Sequence, residues 1–246
     1  MSILSQINEI ITKRGSCYVV LIDPDKKNKD SIQSQVEAAN SADVDFLFIG
    51  GSLMMDSNFS ERVKQIKYFS KIPIILFPGN GMHLNPFYDA ILFMSVISGR
   101  NPHYLIGEQV ISAPIIKDLD IETISTGYVL IDGGSQSAVE FMSGTKPIPM
   151  ERTDIAVAHA LAGQYLGMDL IYLEAGSGAK NSVPLSMIEA VAEAIDKHLI
   201  VGGGINTPEK AEKTVKAGAS IVVTGTIIEN NISIMKEFSD AIHNAK

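Results

Sequence analysis

Several short stretches of this 246-residue chain place glycine, hydroxyl or carboxylate residues at the ends of apolar runs. The first pair is Gly202-Gly203-Gly204-Ile205 and, one helix later, Gly225-Thr226. Glycine at a strand end lets main-chain N–H groups approach an anion closely, and a following helix N-terminus adds its dipole. Two such turns in succession read as a phosphate grip, although three glycines alone would also suit a flexible turn. The second stretch is Leu21-Ile22-Asp23-Pro24-Asp25-Lys26. Its hard carboxylate oxygens suit Mg2+ better than any softer ion, and Gly50-Gly51-Ser52 offers a hydroxyl beside them. The same Asp-Pro-Asp-Lys string is also compatible with an Asx-capped turn. The third is Tyr172-Leu173-Glu174-Ala175-Gly176-Ser177-Gly178. Strand alternation puts Tyr172 and Glu174 on one face and Leu173 on the other. A buried glutamate there needs a partner or a substrate hydroxyl. His83, His103, His159, His198 and His243 show no metal spacing and no paired nucleophile, and read as solvated or structural. Serine hydrolase and zinc chemistry therefore have no support.

These residues need a frame that brings strand ends together. Apolar runs alternate with helical segments along the chain, as in a parallel sheet with crossover helices. Eight strands are expected: 18–22, 44–49, 74–77, 91–97, 126–131, 169–173, 199–202 and 221–224. Most are continuously apolar, as strands covered on both faces must be. Helical stripes run through Ile32, Val36 and Ala39; Phe59, Val63 and Ile66; Met187, Val191 and Ile195; and Ile232, Met235, Phe238 and Ile242. Asn101-Pro102 opens another helix, and 153–167 forms one that is apolar nearly all round. Thr207-Pro208 caps and starts the helix between the two glycine turns, and Gly218 closes it. Between Pro78 and Ala90 no three-turn stripe exists, so a loop or minimal helix replaces the third helix. A long loop, 132–152, should lie over the mouth, where such loops are usually functional. The expected fold is α/β, a single (β/α)8 TIM barrel spanning 1–246, whose chemistry belongs at the C-terminal ends of the strands.

Composition narrows the function. A net charge of −8 speaks against a nucleic-acid footprint, so any anion must be held by local donors or a metal. The single cysteine, Cys17, excludes a disulfide framework and a thiolate metal cluster. Residues 1–13 read as an amphipathic helix through Ile3, Ile7, Ile10 and Ile11, without signal-peptide features. No apolar run approaches the roughly 18 residues of a membrane span. A cytoplasmic location is expected.

Taken in order, Asp23-Pro24-Asp25-Lys26, Gly50-Gly51-Ser52, Asn101-Pro102, Tyr172 to Gly178, Gly202 to Ile205 and Gly225-Thr226 resemble the geranylgeranylglyceryl phosphate synthases and the related heptaprenylglyceryl phosphate synthases. The resemblance covers essentially the whole chain, and the Tyr-Leu-Glu-Ala-Gly-Ser-Gly string is its most specific part. It implies prenyl transfer from an isoprenoid diphosphate, geranylgeranyl by branch, to the C3 hydroxyl of sn-glycerol 1-phosphate, giving an ether-lipid precursor. It further implies that Asp23 and Ser52 hold Mg2+. Tyr172, Leu173, Glu174, Ala175, Gly176, Ser177 and Gly178 wrap the glycerol phosphate, with Gly203, Gly204, Gly225 and Thr226 on its phosphate. Glu174 is the candidate proton acceptor, with Tyr172 beside it. A homo-oligomer and a transient membrane-surface contact for the lipid substrate are also implied. Leu21 is a departure, since one family branch carries lysine there. The rival readings are a sugar-phosphate isomerase or lyase on a phosphate-gripping barrel, and a non-catalytic binding protein for phospholipid precursors.

Overall fold

The computed structural model describes residues 1–51 and 53–245. Eight parallel strands close into a barrel, each paired with the next and β8 with β1. They are β1 (Cys17–Ile22), β2 (Phe46–Ile49), β3 (Ile74–Leu76), β4 (Ala90–Val96), β5 (Glu122–Leu130), β6 (Leu170–Glu174), β7 (His198–Gly202) and β8 (Ile221–Thr224). The expected strands are all present, with ends moved by a few residues. β5 begins earlier because Glu122 has a task there: its carboxylate accepts from the Ile3 and Leu4 N–H groups at 2.6 and 2.9 Å. That caps the first helix with a negative charge at its positive end.

Alternation along the strands produces two cores. Val19, Phe46, Phe48, Ile75, Leu92, Ile124, Leu170, Tyr172, Ile200 and Ile221 point inward. Their neighbours Val20, Leu47, Ile171, Leu173, Val201 and Val222 point out, against the helices. α1 (Ile3–Arg14) lies under the barrel with Ile3 and Ile7 buried in the inner core. The outer ring begins with α2 (Ile32–Ser41) and α3 (Phe59–Phe69). It continues with α4 (Glu108–Asp118), which follows a π-turn at His103–Gly107.

After β3 the crossover is a single 3-10 turn, Gly81–His83, in place of a helix. His83 there is fully buried and stacked on Phe59 with ring centres 4.6 Å apart, and it accepts the Gly79 N–H at 3.1 Å. Burial pushes its imidazole down to about 4, so it is neutral and structural.

Segment 132–152 is more ordered than a loop. It contains α5 (Ala138–Ser143), whose cap Ser137 accepts the Glu140 N–H at 3.1 Å, and a parallel bridge between Ile131 and Ile148. The ring closes with α6 (Thr153–Tyr165), α7 (Leu185–Ala194), α8 (Pro208–Lys216), the short α9 (Thr226–Asn230) and α10 (Met235–His243). Ile232, expected to start the last helix, lies instead in a separate 3-10 turn, Ile232–Ile234. Among the described residues no helix is long and apolar enough to cross a membrane.

Candidate active site at the barrel mouth

Inward parity continues past the strand ends and decides what faces the mouth. On β1 the series Val19, Leu21, Asp23 brings the Asp23 carboxylate to the rim. On β6 the series Leu170, Tyr172, Glu174 does the same for the glutamate. The equivalent inward positions beyond or at the ends of β2, β7 and β8 are Gly50, Gly202 and Gly225. Leaving out those side chains opens a cavity of about 640 Å³, lined by Asp23, Tyr172, Glu174 and Gly176 and by Gly203, Gly204, Gly225 and Thr226. All three stretches of the sequence therefore meet in one place. Of the expected site residues, Leu173 points away into the helix-facing core, and Ala175 follows it. Ser52 lies outside the described residues.

Glu174 is held from three sides. Its Oε1 accepts the Gly176 N–H at 2.7 Å, and the Tyr172 hydroxyl hydrogen-bonds to it. A β-carbon on Gly202 would fall 2.5 Å from the Tyr172 hydroxyl and 2.6 Å from Glu174 Oε2. Glycine at this point is what makes room for the carboxylate. Burial pushes the Glu174 carboxyl up to about 7, opposed by the Tyr172 and Gly176 hydrogen bonds. Burial also raises Tyr172 well above the ordinary phenol value, so it stays a donor. Tyr128, its ring centre 5.4 Å from that of Tyr172, completes the wall and was not singled out by sequence.

The second cluster gathers main-chain amides. Gly203 and Gly204 adopt φ of +82° and +68°, the left-handed region that turns successive N–H groups to one side. The N–H groups of Gly203, Gly204, Gly225 and Thr226 donate to no acceptor among the described residues. The Ser177 and Thr226 hydroxyls meet at 3.3 Å and join the β6 loop to α9. Ser137 and Val139, at the start of α5, lie over the same cavity.

Gly203 resists replacement, as Gly204 does, and it is the member that borders the glutamate. A β-carbon there would sit 2.5 Å from Glu174 Oε1 and 2.8 Å from the Gly176 nitrogen. Left-handed backbone adds about 1–2 kcal/mol of strain for alanine. Gly203→Ala is expected to fold but to melt roughly 3–8 °C lower, as scanning calorimetry would record, and to displace the Glu174 carboxylate. An unchanged melting temperature would contradict the observed backbone.

Asp23 anchors the third cluster. Its Oδ1 accepts the Asp25 N–H at 3.2 Å, and Lys27 Nζ stands 4.0 Å from its Oδ2. Burial pushes the Asp23 carboxyl up to about 6, with Lys27 opposing and Glu229 and Asp25 adding to the rise. Asp25 itself caps the turn Lys26–Asn28 through the Lys27 N–H, so the Asx-turn reading holds for Asp25. Gly51 packs against the Asp23 carboxylate, 2.6 Å from Oδ1 to where its β-carbon would be. Lys27, Glu229 and the α5 residues are the cavity's further components that sequence reasoning did not identify. Among the described residues no three His, Cys, Asp or Glu side chains cluster as a ready-made metal site.

Beyond Phe77 and Tyr128 the cavity leads toward the shortened third crossover. Two smaller hollows of about 80 and 70 Å³ lie there, shared among Pro78, Gly79, Met94, Val96 and Tyr104. Val139 and Met142 of α5 edge the first of them.

A (β/α)8 barrel whose mouth gathers, among the described residues, main-chain amides without acceptors, a buried glutamate and a rim carboxylate has the groups that a phosphate-handling barrel enzyme needs. The chain belongs to the PcrB family, whose model matches residues 8–246. It is 47% identical over 228 residues to the geranylgeranylglyceryl phosphate synthase of Chitinophaga pinensis, covering 93% of this chain and 90% of that one. The synthase of the same name from Methanosphaera stadtmanae is 40% identical, with 99% and 100% coverage. The crystal structure of (S)-3-O-geranylgeranylglyceryl phosphate synthase from Thermoplasma acidophilum, in complex with substrate sn-glycerol-1-phosphate, superimposes with a TM-score of 0.93 at 34% identity. It covers 99% of each chain.

Proposed function

We propose that the chain is a prenyltransferase that joins geranylgeranyl diphosphate to the C3 hydroxyl of sn-glycerol 1-phosphate, releasing diphosphate. The observation that carries this reading is that Asp23 and the Gly203, Gly204, Gly225 and Thr226 amides line one cavity with Glu174. A molecule that must bring together two phosphorylated substrates needs two anion holders and a proton acceptor in reach of both. The family's named activity supplies the substrate pair.

Asp23 fits a Mg2+ ion. It is a hard oxygen donor at the rim, raised by burial and by neighbouring carboxylates, and so favours a cation. Mg2+ commonly takes only one or two protein oxygens together with substrate phosphates, so a single carboxylate is enough to begin its site. Ser52 is the proposed second ligand. Bound there, the ion would neutralise the departing diphosphate.

The chain's own groups do the rest. The free amides and Ser177 hold the glycerol phosphate, so positioning supplies much of the acceleration. Glu174, fixed by Tyr172 and the Gly176 N–H, accepts the C3 hydroxyl proton as the new C–O bond forms at the allylic carbon. The isoprenoid tail lies in the side hollows past Phe77, which the missing third helix leaves open. Entry of that tail is proposed to involve brief contact with a membrane surface by an otherwise cytoplasmic protein, and the outer helices to mediate a homo-oligomer.

Incubation with labelled geranylgeranyl diphosphate, sn-glycerol 1-phosphate and Mg2+ is expected to give the ether-linked product, and a chelator to stop it. Turnover of a sugar phosphate, or binding of glycerol phosphate without product, would overturn the proposal.

A further inference from the structure

Among the described residues the charged side chains lining the mouth are Asp23, Asp25, Glu174, Glu229 and Lys27: four carboxylates against one ammonium. In a protein of net charge −8, this is a poor reception for a diphosphate, whose charge must be met locally. Leu21, two residues before Asp23, contributes only an apolar wall to the same cavity.

Lys27 is placed to meet that charge. Its Nζ stands 4.0 Å from Asp23 Oδ2 and 3.9 Å from Glu229 Oε2, beyond the range of a direct hydrogen bond to either. The backbone beneath it is tied down. The Lys27 N–H donates to Asp25 Oδ1 at 3.0 Å, and Asn28 Nδ2 donates to the Asp23 carbonyl at 3.0 Å and to Glu229 Oε1 at 3.4 Å. The side chain itself is 62% exposed. A fixed base with a free head lets the ammonium change partners without moving the loop.

We propose that Lys27 is the diphosphate-anchoring cation of the mouth: it rests between Asp23 and Glu229, and turns onto the diphosphate oxygens when that substrate enters. This rests on the reading that a diphosphate docks beside Asp23. Were Mg2+ held by Asp23, it would repel the ammonium from that carboxylate and leave Lys27 to the diphosphate oxygens the ion does not take. Loss of one charge-assisted contact of this kind is expected to weaken binding about tenfold.

Titration calorimetry of inorganic diphosphate into the wild-type chain, Lys27→Met and Lys27→Arg, first without metal and then with Mg2+, tests it. K27M is expected to bind diphosphate about tenfold more weakly in both conditions and K27R to recover most of the loss. The affinity for sn-glycerol 1-phosphate should stay within twofold, which also reports that K27M is folded. Mg2+ alone should bind K27M slightly more tightly, because a competing cation has left Asp23. Wild type and K27M binding diphosphate equally would overturn the role of Lys27 alone. No diphosphate binding by the wild type, with glycerol phosphate still bound, would overturn the diphosphate site and the lysine's role together.

Discussion

Glu174→Gln should lower turnover by a factor of about 10²–10⁴, the usual worth of a positioned base, while sn-glycerol 1-phosphate binds as before. The amide keeps an oxygen that can accept the Gly176 N–H, so the loop carrying the phosphate-facing amides should not move. What disappears is a group able to take the hydroxyl proton. Only the ionised carboxylate can do that, and burial holds its titration at about 7. Wild-type turnover should therefore climb with pH through about 7 and level off above it, whereas the residual activity of E174Q should lack that limb.

Stability should respond in the opposite sense. A carboxyl whose folded-state value is raised stabilises the fold in its neutral form, below its ordinary value, and that contribution is lost as pH rises through about 7. At pH 8–9 E174Q should thus be more stable than wild type by up to about 2–3 kcal/mol, visible in denaturant titrations. A variant that gains stability and loses turnover separates the chemistry from the fold. Full turnover by E174Q would remove Glu174 from its proposed role.

Asp23→Asn should reduce metal-supported turnover by about 10³, through loss of the anionic oxygen that the proposal gives to Mg2+. The rest of the rim should survive, because an amide oxygen can still accept the Asp25 N–H that Oδ1 takes at 3.2 Å. The carboxyl is raised to about 6, and a proton and a metal compete for the same oxygens. Metal affinity measured calorimetrically in the presence of diphosphate should fall up to tenfold per pH unit below about 6 and be level above it. D23N should show no such dependence and a melting temperature at pH 8 no lower than wild type. Metal binding by D23N equal to that of wild type would locate the ion elsewhere.

The strand ends that form the mouth were legible where glycine or carboxylate breaks an apolar run: Asp23 after β1, Gly50 after β2, Glu174 and Gly176 at β6, Gly202 and Gly203 at β7, and Gly225 after β8. Inward parity then followed from counting by twos, which is why Tyr172 and Glu174 were placed on one face correctly and Leu173 on the other. The short third crossover was equally visible from the lack of a helical stripe between Pro78 and Ala90. The α5 helix was missed because its six residues are too few to show a period. Its capping signal, Ser137 followed three residues later by Glu140, was present and could have found it. Lys27 and Glu229 were not legible as a pair. They are 202 positions apart in the chain, and only closure of β8 onto β1 brings them within 3.9 Å. Tyr128 gave no local signal either, since a tyrosine in a buried strand is ordinary until its register partner on the next strand, Tyr172, is known.

The underside of the molecule limits how a long lipid can be accommodated. Ile3 and Ile7 act as a stopper, and the Glu122 carboxylate that grips the first turn of their helix keeps the stopper seated. A chain of isoprene units therefore has no axial tunnel to thread. On the proposed function it leaves the mouth sideways, so the length a tail can reach would be set by the gap in the outer wall, and widening or filling that gap offers a way to retune chain preference without altering the proposed catalytic rim.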